Sequence, residues 1–472
     1  MASEIRVNKI INRSGLSTVT FSDTGAIVSG IVTANSFSGN VTGNVTGNVT
    51  GAVTGSGANL TSIPAGQLTG TVADARLTSV TASKLSGALP ALDGSALTGI
   101  NTAFGSGTSV NTSGIITATA FVPTTQGPLS HRNVWMNGNF GVAQRGTQQT
   151  SVTSLSGYAT GGPDRCYINI TNHGTWTVKQ GTDGPPGFKS CMEMIATTGD
   201  SSVASNASVR WWQRFEGQDL QRFMKGTSSA KQFALSFYIK SSTTGTYAFE
   251  LLDYDSGNRH MVKTYTVDSA DTWEYKTIIF PGDTTGPFAN DANSSLAAEF
   301  WLVAGTDWTS GGTITNWATT VNNKRAGGHT ANAGASDNDY VRITGVQLEV
   351  GPVSTPYEQR SFAEELRRCQ RYFERIHIDG TDVFLVGNNQ FNSVTYHYIP
   401  FLVEKRVIPT VSLDATGFHN YACGTGSNGT GNLTAGTFSK SKMHITTGGL
   451  GANTIHFVYK TADGYADASA EL

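Results

Sequence analysis

Gly424, Gly426 and Gly429 stand in the spacing G-x-G-x-x-G, the pattern that cradles a dinucleotide pyrophosphate between a strand and a helix N-terminus. Thr430, Gly431 and Asn432 follow, and no helix starts on such residues, so the stretch reads as a loop. Asp253, Asp255, Gly257 and Asn258 resemble the start of a calcium loop. Glycine is one position early, however, and Thr264 stands where the bidentate glutamate belongs. A hairpin turn is expected there, and a turn also at Asp337 and Asp339; a structural calcium stays an open alternative that these spacings do not support. The histidines show neither H-E-x-x-H nor H-x-H spacing. Cys166, Cys191, Cys369 and Cys423 contain no C-x-x-C, although a Cys166–Cys191 bridge stays open. There is no Walker motif and no G-x-S-x-G elbow. The carboxylate pair of a glycosidase is a spatial feature, and Glu216, Asp219, Glu250 and Asp253 read first as surface groups. The expectation is a protein that is not an enzyme and holds no cofactor.

Aromatic side chains offer a different chemistry. Indole and phenol faces stack on the apolar faces of pyranose rings, and turns carry such residues outward. Trp211, Trp212, Trp301, Trp308 and Trp317 are candidates, the last two because glycine and threonine surround them. His419 and Tyr421 are further candidates, within Gly417–Gly436, read as a long polar loop. The competing reading of an isolated tryptophan in a β-sandwich is core.

The elements that must carry these residues fall into blocks. Residues 1–130 contain 56 Gly, Ser and Thr, and nine charged residues, so this part cannot be an ordinary globular domain. Residues 39–55 read GNVTGNVTGNVTGAVTG. An extended chain puts Val41, Val45, Val49 and Val53 on one face, with glycines between them. One such strand is an apolar line a single side chain thick and cannot exclude water. Three copies around an axis bury the valines against each other, which favours a trimeric shaft over a flexible linker. SGIVTANSF recurs as SGIITATAF, and GANLTSI as GSALTGI, without sustained heptads, so a coiled coil is excluded.

All eight tryptophans lie between Trp135 and Trp317, which marks a second block. There Phe233–Lys240, Thr246–Leu252 and Glu274–Phe280 alternate between turn sequences, as strands of a sandwich do, and Tyr340–Val350 closes the series. Ser361–Arg375 is the expected helix: Ser361 and Glu364 form a capping box, and Phe362, Leu366, Cys369 and Phe373 make an apolar stripe. Arg367, Arg368 and Arg371 then form a solvated face. Beyond it Val383–Val386, Tyr396–Val403, Arg406–Val411 and Ile455–Tyr459 are expected strands. The fold class is mainly β: an elongated homotrimer with a repetitive shaft, a jelly-roll-like sandwich, one short helix and a small terminal β-domain. The boundaries are 1–38, 39–130, 131–360, 361–375 and 376–472.

Formal charge is −2, which excludes an electrostatic nucleic-acid binder as the first reading. No apolar run is long enough to insert in a membrane, and the N-terminus lacks a signal-peptide core.

The opening EIRVNKIINRSGLSTVTFSDTGAIVSGIVTANSF resembles structural fibre proteins of tailed bacteriophages, especially phages of marine cyanobacteria. GANLTSIPAGQLTGTVADARL resembles a shaft repeat of tail fibres. Asn133–Gly146 (NVWMNGNFGVAQRG) and Val346–Phe373 (VQLEVGPVSTPYEQRSFAEELRRCQRYF) are similar to the beginning and end of a carbohydrate-binding-like sandwich in phage fibres. The resemblance implies a homotrimeric virion tail fibre made in the host cytoplasm. Its N-terminal segment would meet tail or baseplate proteins. Its C-terminal domains would meet host polysaccharide or lipopolysaccharide. The alternatives are a head, neck or baseplate fibre without a receptor, and a polysaccharide-cleaving tailspike.

Overall fold

A computed structural model describes residues 9–11, 18–22, 25–29, 31, 131–378, 383–388, 394–414, 418–423, 427–429, 434–437, 439–448, 455–460 and 464–472. The repeat tract with Val41, Val45, Val49 and Val53 lies outside the described residues, as does 424–426 of the glycine motif. The chain divides into two units, Met1–Ser113 and Gly114–Leu472. The first carries an antiparallel sheet of β1 (Lys9–Ile11), β2 (Thr18–Ser22) and β3 (Gly25–Ser29).

The second unit opens with a sandwich. Its elements are β4 (Gln148–Val152), β5 (Leu155–Tyr158), β6 (Tyr167–Thr171), β7 (Thr175–Gly181), β8 (Cys191–Thr198), β9 (Ser208–Glu216), α1 (Gly217–Leu220), β10 (Phe233–Ser241), β11 (Gly245–Asp253), β12 (Arg259–Val267), β13 (Glu274–Phe280), β14 (Ser294–Ala304), α2 (Thr306–Thr309), β15 (Ala318–Thr319) and β16 (Tyr340–Val350). A six-stranded sheet runs β13-β10-β16-β8-β7-β4, and a seven-stranded sheet runs β15-β12-β11-β14-β9-β6-β5. Strand alternation builds the core between them. In β9, Val209, Trp211 and Phe215 point inward, while Arg210, Trp212, Arg214 and Glu216 take the other face. Trp211 stacks on Phe300 at 4.6 Å, and Trp135 meets Trp211 edge-on at 5.9 Å. Each such fully buried ring contributes roughly 1.5–3 kcal/mol or more by leaving water.

Tyr340–Val350 closes the series along the chain as β16, which lies inside the six-stranded sheet, between β10 and β8. Its pairing with β10 is interrupted by a bulge at Gly345. The β10–β16 register slips between Ser236 and Tyr238, and Gly345 takes a φ of +64° there. A side chain at that position would also strike the Phe188 ring, 2.8 Å from a built Cβ.

The helix α3 (Phe362–Gln370) starts where expected but is shorter. Ser361 accepts from the Glu364 amide at 3.2 Å, yet the Glu364 carboxylate turns to Arg368, so the capping box is half made. The expected apolar stripe is corrected too. Phe362 is 62% exposed, whereas Glu365 is buried beside Arg360 and receives the Asn137 amide. Nor is the arginine face fully solvated: Arg371 grips buried Glu216 with two hydrogen bonds of 2.8 Å.

The chain then turns at once into β17 (Phe373–Ile378), followed by β18 (Val383–Asn388), β19 (Val394–Pro400), β20 (Thr410–Leu413), β21 (Phe418–Cys423), β22 (Ser427–Gly429), β23 (Thr434–Thr437), β24 (Lys442–Gly448), β25 (Ile455–Lys460) and β26 (Gly464–Ser469). They form sheets β17-β26-β20, β18-β25-β21-β22 and β19-β24-β23. The expected loop Gly417–Gly436 therefore holds β21, β22 and part of β23. Residues after β26 return to the sandwich. Glu471 pairs with Arg145 at 3.0 Å and Arg165 at 2.5 Å, and Leu472 receives Arg214.

Candidate functional site

The outer face of the seven-stranded sheet carries Trp212 and is the face on which an open aromatic platform would meet a ligand. Its centre is instead a closed polar cluster. Glu250 on β11 sits directly across from Glu299 on β14, an arrangement of like charges that opposes sheet pairing unless a cation intervenes. Arg325 intervenes, donating to Glu250 at 3.1 Å and to Glu299 at 3.0 Å. Arg210 adds a bond of 2.9 Å to Glu299, and His260 Nδ1 donates to Glu250 at 2.8 Å. Burial pushes the Glu250 carboxyl up, but the Arg325 charge and the His260 bond overcome it and leave the group below its ordinary value. Trp301 and Trp308, 5.5 Å apart, roof the cluster with Ala326.

This arrangement decides the fate of the tryptophans. Trp211 is 1% exposed and belongs to the core, so it cannot meet a ligand. Trp212 faces outward, as strand alternation requires of a Trp-Trp pair, but is only 5% exposed because Tyr167 stacks on it at 4.4 Å. Trp317 is 8% exposed and donates its indole N–H to Pro281 at 2.7 Å. Its glycine- and threonine-rich surroundings form a cover rather than a turn in solvent, because the following β15 pairs with β12. Trp308, on α2, is half-buried and keeps some surface. His419 and Tyr421 fall in β21, opposite Tyr459 and Phe457 in the backbone register, and their side chains lie outside the described residues.

The acidic candidates are also accounted for. Asp253 is buried against the Lys225 ammonium, 2.7 Å away, where a calcium loop would need its metal. Asp337 and Asp339 accept bonds from the Gly199 amide and the Ser242 hydroxyl, as turn residues do. Among the described residues no group of His, Cys, Asp and Glu is placed to hold a metal. Cys166, Cys191 and Cys369 are free and buried, so the open Cys166–Cys191 bridge is not made.

What stays open is a strip along one side of the same sheet. Arg214 lies over Tyr167 at 4.7 Å and reaches Tyr254 at 5.8 Å. Tyr167 meets Tyr158 edge-on at 5.3 Å. The three tyrosines and the arginine are half-buried, with surface left to offer. None of them was singled out from sequence. The available signal was the alternation in β9 and β6, which puts Tyr167 and Arg214 on the outer face together.

No protein-family model matches the chain, and no curated protein matches it. Solved structures do. The enzymatically active domain of bacteriophage CBA120 tailspike protein 4 is 12% identical over 46% of this chain and 21% of its own, with a TM-score of 0.25. The family 11 carbohydrate-binding module of the Clostridium thermocellum cellulase Lic26A-Cel5E is 13% identical over 44% of this chain and 98% of its own, with a TM-score of 0.22. The C-terminal family 22 carbohydrate-binding module of Clostridium thermocellum Xyn10B is 9% identical over 48% of this chain and 100% of its own, with a TM-score of 0.25. The match spans about a fifth of the tailspike chain.

Proposed function

We propose that this chain is the subunit of a homotrimeric tail fibre of a phage particle, and that it holds host-surface glycan without cleaving it. The observation that carries the binding role is the open strip of Tyr254, Arg214, Tyr167 and Tyr158, where rings and a guanidinium alternate at the surface. Rings take the C–H face of a sugar, and guanidinium N–H groups take its oxygens. The valine-glycine repeat and the fibre-like opening support the trimer and the attachment of residues 1–38 to tail or baseplate proteins. Three weak sites on one rod gain avidity through effective concentration.

The cleaving alternative has one feature to recommend it, the facing carboxylates Glu250 and Glu299. They are buried under Arg325 and Trp308, with no room left for a glycosidic oxygen between them. Incubating the protein with purified host polysaccharide should therefore release no reducing ends. Light scattering should give a molar mass near three times 49.8 kDa. A stable single copy, or sustained release of fragments, defeats the proposal.

A further inference from the structure

The sequence of β26, Gly464-Tyr-Ala-Asp-Ala-Ser469, sorts itself by strand period. Ala466 and Ala468 are buried in the terminal core, so Tyr465, Asp467 and Ser469 occupy the opposite face. The neighbouring strands extend that face in register. Arg375, Asp467 and Ser412 form one rung across β17, β26 and β20; Phe373, Ser469 and Thr410 form the next. Arg375 binds Asp467 bidentately at 2.7 Å through each of two nitrogens, and lies over the Tyr465 ring at 3.8 Å. The sandwich supplies the facing wall. Arg145 lies over Phe373 at 3.6 Å, beside Tyr158 at 5.2 Å, and its carbonyl receives Arg375.

Between wall and sheet run two adjoining clefts of about 250 and 230 Å³, which share Arg145, Tyr158 and Asp467. Each is smaller than the roughly 300 Å³ at which pockets for drug-sized ligands begin, so each takes about one sugar ring. We propose that this junction is a glycan-binding site for uncharged hexose units, reading the end or a side branch of the polymer. The inference rests on the glycan-binding reading above and moves the site from the strip to the junction, the two meeting at Tyr158.

Charge decides the sugar class. Arg375 is matched by Asp467, and Arg145 by Glu471 at 3.0 Å and Asp164 at 3.9 Å. No guanidinium in the cleft is left over for a uronate or phosphate, and an added anion would face these carboxylates. A neutral hydroxyl meets no such penalty. It can donate to a spare lone pair of Asp467 and accept from an arginine N–H not used in the pair. The hydroxyls of Thr410, Ser412 and Ser469 line the same cleft, and the half-buried Tyr465 ring gives the apolar surface for C–H groups.

The test titrates the full chain with free neutral hexoses and 6-deoxyhexoses, with their uncharged polymers, and with polygalacturonate. Parent protein is compared with Tyr465→Ala, Ser412→Trp and, on the sandwich strip, Tyr254→Ala. Melting curves check that each variant is folded. Binding of an uncharged member, weakened at least about tenfold by Tyr465→Ala and by Ser412→Trp, is the expected result. Ser412 is exposed, so its replacement blocks the cleft without opening the core. Loss only with Tyr254→Ala overturns the cleft and leaves the glycan reading standing. Binding of polygalacturonate alone overturns the neutral class. No binding to any member overturns both.

Discussion

The ammonium of Lys225 lies 2.7 Å from the carboxylate of Asp253, and neither side chain touches solvent. Lys225 also reaches Asp283 at 3.2 Å and donates to the carbonyls of Thr285 and Gly286. Removing one partner of such a pair strands the other in a low-dielectric interior. Lys225→Met is thus expected to cost about 3–5 kcal/mol in urea unfolding. Adding Asp253→Leu should return part of that loss. Calcium should leave the melting temperature of the parent unchanged, because the ammonium already occupies the place of a metal. A calcium-dependent rise would show that the pair is mispaired.

Arg325 does the corresponding work on the outer face of the seven-stranded sheet. Without it, Glu250 and Glu299 confront each other across β11 and β14. Arg325→Met should lower stability by about 3–5 kcal/mol, and Glu299→Gln in the same chain should recover a measurable fraction by removing one of the two like charges. If the double variant is no more stable than the single one, charge repulsion is not the cause.

His329 predicts a pH dependence. Its Nδ1 accepts from the Ala248 amide at 3.2 Å and its Nε2 meets the Ala331 carbonyl at 2.7 Å, which fixes a neutral tautomer. Burial pushes its pKa down to about 4. The unfolded chain then binds a proton that the folded chain refuses, so stability falls as pH drops from about 6.5 to about 4, by about 3 kcal/mol in all. Asp164 acts in the opposite sense. Burial raises its carboxyl to about 6, so protonation between about 6 and 4 favours the folded chain. The parent alone cannot separate the two. In urea unfolding at several pH values, the stability of the parent minus that of His329→Gln should be constant above about pH 7 and fall below it, because only the parent refuses a proton that its unfolded chain takes up. A constant difference would mean that His329 does not titrate.

Much of the sandwich was legible because strand period and turn residues act locally. Phe233–Lys240, Thr246–Leu252 and Glu274–Phe280 are found within a residue or so of β10, β11 and β13. The expected strand Arg406–Val411 is corrected: β20 begins only at Thr410, directly after Pro409, which has no N–H to give a ladder. Exposure was less legible. Glycine and threonine around Trp317 suggest a turn in solvent, but whether that turn lies free or folds over a sheet depends on pairing with β12, a distant partner. Phe362, expected in the apolar stripe, is exposed, and Glu365 is buried, for the same reason. The buried charge of Arg360 recruits Glu365, and no spacing within α3 encodes that. The junction cleft unites Arg145 with Tyr465, which no local pattern connects.

That junction also predicts how the second unit melts. Arg165 is almost fully buried, and Glu471 reaches it from beyond β26 at 2.5 Å while binding Arg145 at 3.0 Å. Arg406 ties the same segment through the carbonyls of Ala470 and Glu471, and crosses to the Ala292 carbonyl of the sandwich. The Arg165 guanidinium is held charged by Glu471 despite its burial. Cutting the chain after Phe373 would remove that partner, so such a truncation would injure the sandwich as well as delete the terminal sheets. Glu471→Gln is the gentler probe. It keeps the shape and removes the charge, and should cost about 3–5 kcal/mol. In calorimetry of residues 131–472 within the full chain, the parent should show the sandwich and terminal strands melting together. The variant should show β17–β26 melting ahead of the sandwich, with faster amide exchange in β26. Coincident melting at an unchanged temperature would mean that the strands are joined by something other than this clamp.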